Sequence, residues 1–171
     1  MQNHFRAEWI NALQNLTINP GLRNYSIFKN NFGFENYLTL VKNFKYRHSI
    51  TKIRSSSNHL MIEIGRHNNV PIQDRICTIC KLIEDENHFI LHCTINECER
   101  SKFVSKVVSK YPFYTSLANN DKYKFLFQSD DPQLLTWLGK FLHASFEIRQ
   151  TKTCTQIWKY LICLYDTPDI V

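Results

Sequence analysis

Cys77, Cys80, His88 and Cys93 form a C-x2-C-x7-H-x4-C run within seventeen residues. Two residues between thiolates make a turn tight enough to aim both sulfurs at one point. An imidazole and a third thiolate then complete a tetrahedron, the closed donor set of structural zinc. The expectation is therefore one structural Zn2+ held by these four side chains. The intervening residues 81–87, Lys-Leu-Ile-Glu-Asp-Glu-Asn, are short and polar, as suits a loop folded around a metal.

Other cysteines and histidines compete for the same role. His92 and Cys98 stand close to His88 and Cys93, but the inner set leaves no large loop and is preferred. Cys154 and Cys163, nine apart on an apolar helical stretch, read as core thiols. The N-terminal residues lack the apolar core of a secretory signal, which points to an intracellular chain, nuclear or cytoplasmic. Thiols stay reduced there, so clustered Cys and His favour a metal over disulfides. No apolar run approaches the roughly 20 residues that span a bilayer, so no membrane partner is expected.

Charge is unevenly placed. The chain carries a net charge of +6, which suits an anionic partner. Residues 35–75 hold seven Lys or Arg against three acids, whereas residues 76–100 hold two against five. The metal-binding segment is thus electrically wrong for gripping phosphate, and the segment before it is right.

The elements that must position these groups read as helices. Residues 4–16 place Phe5, Trp9, Ile10 and Leu13 at helical spacing, and Asn19-Pro20-Gly21 ends that run with a turn. Residues 35–54 contain no Gly or Pro, and Tyr37, Val41, Phe44 and His48 repeat at helical intervals. Lys42, Lys45 and Lys52 fall on one side of that expected helix, with Arg47 and Arg54 as a second rib. Leu60, Ile62 and Ile64 alternate with Met61 and Glu63, which predicts a short strand or extended lead-in. Helices are expected again over 96–110, from Pro132 onward, and over 153–165, with a short aromatic segment at 122–127. The fold class is mainly α, a small helical domain with a Cys3His knuckle inserted between helices. Three regions are expected: 1–34 as an N-terminal helix and aromatic connector, 35–110 as basic helix plus knuckle, and 111–171 as a helical tail on the same core.

One longer string carries a resemblance. It runs through Asn58-His59-Leu60, Ile62-Glu63, Gly65-Arg66, Pro71, Arg75 to Cys80, Glu84 to Phe89, and Cys93. This resembles the C-terminal region of reverse transcriptases from non-LTR, LINE-type retrotransposons. The likeness is strongest over 35–95 and extends to residues 121–126 and 138–149. It implies a detached, decayed or domesticated tail, with polymerase and endonuclease modules lying outside the region. It also implies a role in holding template RNA or target DNA near a polymerase.

Three function classes follow. In the first, Lys42, Lys45, Arg47, Lys52 and Arg54 contact the phosphates of RNA or of single- or double-stranded DNA, and Arg66 and Arg75 extend the track. In the second, the acidic loop Glu84-Asp85-Glu86 and the N-terminal aromatics dock a protein, for example a reverse transcriptase polymerase domain. The third, catalysis, is disfavoured, because a closed four-ligand zinc leaves no open coordination position. Asp130-Asp131, preceded by Gln128-Ser129 and followed by Pro132, lacks the strand–turn–strand setting of a polymerase metal site. A non-catalytic nucleic-acid-binding accessory domain with no small-molecule substrate is the expectation.

Overall fold

The structure is a computed structural model that describes the backbone of residues 2–29 and 31–165 and the side chains of 4–29 and 31–151. It is mainly helical, as the patterning predicts, with no β-strand among the described residues. The helices are α1 (Gln2–Gln14), α2 (Arg23–Phe28), α3 (Tyr37–Leu40), α4 (Phe44–Arg54), α5 (Met61–His67), α6 (Glu97–Lys110), α7 (Asn119–Gln128) and α8 (Pro132–Tyr165). The Cys3His segment lies between α5 and α6.

The N-terminal half of α8 is the axis of the core. Leu134, Leu135, Leu138, Phe141 and Leu142 recur at helical spacing and are almost fully buried. They pack with Ile50 and Ile53 of α4, Phe103 and Val107 of α6, and Leu126 and Phe127 of α7. Asp131 starts the axis as an N-cap with Pro132 at the first helical position. Its carboxylate accepts the backbone N–H groups of Gln133 (3.2 Å) and Leu134 (3.1 Å), and also Lys110 Nζ and Tyr111 Oη. Gly139 lets α4 come close: a Cβ there would lie 2.6 Å from Tyr46 Cβ and 2.9 Å from the Tyr46 carbonyl oxygen.

Four expectations about the elements need correction. The expected continuous helix over 35–54 is two helices, because Asn43 intervenes as N-cap of α4 and accepts the N–H groups of Lys45 and Tyr46. Lys42 therefore precedes α4 rather than sharing a helical face with Lys45 and Lys52. Leu60, Ile62 and Ile64 do not form a strand. They begin and build α5, whose first N–H groups are taken by Glu84: Oε2 accepts Met61 N–H (2.8 Å) and the carbonyl accepts Ile62 N–H (3.0 Å). The aromatic segment at 122–127 is part of α7, and the two C-terminal helices expected from Pro132 onward are one, α8. Cys154 and Cys163 lie on α8, but their side chains fall outside the described residues.

α4 ends in a left-handed turn. Ser56 adopts φ 52°, and the N–H groups of Ser56 and Ser57 return to the carbonyls of Ile53 and Lys52. That crossed pair is the Schellman closure, with serine in the left-handed position usually given to glycine.

Candidate metal centre

The first two thiols sit at the tip of a narrow hairpin. Ile76 and Ile83 form an isolated antiparallel bridge, and Cys77 N–H donates to the Leu82 carbonyl at 2.7 Å. Lys81, at φ 60°, reverses the chain between them. The second two ligands sit on a π-helical turn, His88–His92. Asp85 starts that turn by accepting His88 N–H at 2.7 Å, and Cys93 N–H closes it onto the His88 carbonyl at 2.7 Å. A five-residue interval closes one wide turn, so His88 and Cys93 emerge on the same side. Such turns recur at functional sites. This is the physical content of the x4 spacing.

Hairpin and turn meet at one point. One donor atom from each of Cys77, Cys80, His88 and Cys93 lies within 4.8 Å of the others, and no second such cluster of His, Cys, Asp or Glu occurs among the described residues. Cys93 Sγ is 3.8 Å from both Cys77 Sγ and Cys80 Sγ. Cys77 and Cys93 are buried, and Cys80 is partly exposed. His88 is buried, and its Nε2 has no hydrogen-bond partner. A buried ring nitrogen left without a partner is costly unless something accepts its lone pair. Three sulfurs and a ring nitrogen of His88 can hold a metal ion.

The surroundings favour a deprotonated donor at Cys80. Against a burial penalty, the N–H and hydroxyl of Thr94 hold the Cys80 thiol below its ordinary range. Cys80 N–H points at Cys77 Sγ (3.5 Å), and Ile95 N–H points at Cys93. Burial pushes the Cys93 thiol up to about 12, and it depresses the His88 imidazole, keeping the ring neutral. A cation at the centre acts against burial on the thiols, which is why metal binding and proton release are coupled. His92 and Cys98, the competing ligands, are exposed and lie outside the cluster; His92 Nε2 instead contacts Asn119 Nδ2.

The acidic loop beside the cysteines is not an open epitope, which corrects the docking expectation for it. Glu84 and Glu86 are buried, at 4% and 1% exposure. Arg149 of α8 forks onto Glu84 through Nε (2.8 Å) and an Nη (2.7 Å). Arg23 bridges Glu86 and Glu63, Asn58 donates to Glu86, and Arg66 pairs with Glu63. Gly65 is required here, since a Cβ would lie 2.5 Å from Arg75 Cγ. The string at 58–89 is thus a folding clamp: its buried acids are held by Arg66 within it and by Arg23 of α2 and Arg149 of α8 from outside, beside the hairpin of Cys77 and Cys80.

The seven basic residues nominated for nucleic acid divide sharply. Arg54 is buried, donating to the Phe127 carbonyl and Glu35 and packed on the Phe28 and Tyr37 rings. Arg75 donates to the carbonyls of Val70 and Ile62, and Arg47 to those of Leu38 and Val41. Arg66 is held by Glu63, and Lys52 lies over the Phe146 ring. Lys42 and Lys45 are exposed and form no ion pair among the described residues. The continuous track of seven cations is therefore not assembled. Arginine's fork suits backbone carbonyls and buried carboxylates, and four of the five engaged groups are arginines. Composition could not reveal this, because some partners are distant in sequence, 73 residues away for Arg54 and the Phe127 carbonyl.

No helix among the described residues is long and apolar enough to cross a membrane. No protein-family model, no curated protein and no solved structure matches the chain.

Proposed function

We propose that this chain is a non-catalytic, zinc-stabilised helical module that binds nucleic acid through surface lysines. The observation that carries the metal half is the gathering of Cys77, Cys80, His88 and Cys93 donor atoms within 4.8 Å, with the Nε2 of His88 buried and without a hydrogen-bond partner. Zinc is the metal that fits best. With Zn–S near 2.3 Å, a regular tetrahedron has sulfur–sulfur edges of about 3.8 Å. Both Cys93 contacts have that length. Four protein ligands fill the coordination shell, so the ion serves as a staple between the hairpin and the turn.

The nucleic-acid half rests on charge and on the likeness to retrotransposon reverse transcriptase tails. In a chain of net charge +6, Lys42 and Lys45 are exposed and form no ion pair among the described residues. Lysines that retain mobile, hydrated heads contact phosphate without base selectivity. A protein-docking role, including docking to a polymerase domain, is the second reading. Exposed Phe5, Ile18, Phe32 and Phe34 in the N-terminal part favour it.

The test combines metal content with a salt titration. Purified chain should carry one zinc, lost in His88→Ala and Cys93→Ser but kept in His92→Ala and Cys98→Ser. Binding to mixed-sequence single strand and duplex should weaken steeply with salt. Full zinc with no binding at low salt would leave the docking role.

A further inference from the structure

The groove between α6 and α8 has a composition that none of the seven nominated residues shares. Its α6 wall is Glu99, Lys102 and Lys106, and its α8 wall is Trp137 and Lys140. Phe103 and Phe141 form the floor, stacked at 4.9 Å with 5° between ring planes. Both phenylalanines are buried, whereas Trp137 is only partly buried beside them. The groove volume is about 190 Å³. That is below the roughly 300–1,000 Å³ of pockets that enclose a whole small molecule. It suits one planar group lying on an aromatic wall, with the rest of the ligand outside.

The charges sort themselves. Glu99 pairs with Lys102 at 2.5 Å, so that lysine is neutralised within the groove. Lys106 and Lys140 are exposed, and neither has an ion-pair partner among the described residues. Further along, Lys110 is paired with Asp131 and His143 faces Glu147, so neither adds free charge. An exposed lysine without an ion pair among the described residues thus borders the aromatic floor on each wall.

We infer that the α6–α8 groove is a single-stranded nucleic-acid site, in which Lys106 and Lys140 hold phosphates and a base stacks on Trp137. The inference rests on the nucleic-acid reading above and places it on a different surface. Aromatic walls with interleaved cations are how sequence-tolerant single-strand binders work: every base has a stackable face, and the phosphates supply the charge. In a duplex the base faces are covered by their neighbours, so the Trp137 wall selects unpaired strands.

The experiment uses labelled oligo-U and oligo-dT with the zinc-loaded chain at several salt concentrations. Lys106→Glu/Lys140→Glu alters only exposed side chains, and Lys42→Glu/Lys45→Glu is the comparison. The groove double variant should bind both oligomers at least about tenfold more weakly. Its log K against log salt slope should fall by about 1.4, about 0.7 for each lost phosphate contact. Trp137→Ala should cost about tenfold by lost stacking. In a Trp9→Phe/Trp158→Phe background, Trp137 emission should be quenched on saturation; that readout does not depend on the stability of any groove variant. Wild-type affinity in the groove double variant, with emission unchanged, would overturn the groove while leaving nucleic-acid binding intact. Absence of binding by the wild-type chain in low salt would overturn both.

Discussion

Arg149→Met tests whether the acidic loop is a folding clamp. In the native chain Glu84 is 4% exposed, accepts two bonds from Arg149 and one from Met61 N–H, and caps α5. Removing the guanidinium strands a buried carboxylate with a single donor. Breaking a buried pair from one side costs about 3–5 kcal/mol. At roughly 2–4 °C per kcal/mol for a chain of this size, the melting temperature should fall by about 6–20 °C. Adding Glu84→Gln should recover most of that loss, since the amide is neutral and can still accept Met61 N–H. Thermal unfolding by circular dichroism on the zinc-loaded chain measures both variants and the double mutant, and the cycle isolates their coupling. Metal content should match that of the native chain, because Arg149 lies outside the Cys3His cluster. A single-variant cost below about 1 kcal/mol, or a double variant no better than Arg149→Met, would refute the clamp.

Two further outcomes follow from the α8 axis. Gly139→Ala should destabilise by about 1–3 kcal/mol through overpacking against the Tyr46 backbone, offset by about 1 kcal/mol of helix propensity; urea midpoints would show a net loss, and a net gain would mean α4 and α8 separate freely. Asp131→Ala should cost about 1 kcal/mol as a lost N-cap. Hydrogen bonds from Lys110 and Tyr111, with those from Gln133 and Leu134 N–H, outweigh burial and hold the Asp131 carboxyl down to about 2. A depressed carboxyl stabilises above its unfolded value and loses that contribution as pH falls toward its folded one. The gap between wild type and Asp131→Asn should therefore be full above pH about 4 and narrow toward pH 2.

Several features were legible because they are local. The four ligands lie within seventeen residues, and the backbone geometry of a CxxC turn and a five-residue wide turn is encoded in the spacing itself. The α6 helix and the Pro132 start of α8 likewise follow from short-range patterning and capping. The misread strand at Leu60, Ile62 and Ile64 shows the limit. Two-residue alternation was present, but Leu60 and Ile64 are also four apart, and Glu84 supplied the helix cap from twenty-three residues downstream. The break at Asn43 was local, yet an unbroken apolar rhythm concealed it.

Charge was the quantity that the sequence alone left open. The sequence determined that residues 35–75 carry seven cations against three acids and residues 76–100 two against five. Which of those charges face water was decided only when distant segments met: Arg54 with the Phe127 carbonyl, Arg149 with Glu84, Arg23 with Glu63 and Glu86. A buried ion must find a partner or cost several kcal/mol, so the fold draws arginines inward toward carbonyls and carboxylates. Lysines such as Lys42, Lys45, Lys106 and Lys140 stay at the surface. The Cys3His cluster was written in spacing; the free basic surface exists only as what the tertiary pairing leaves over.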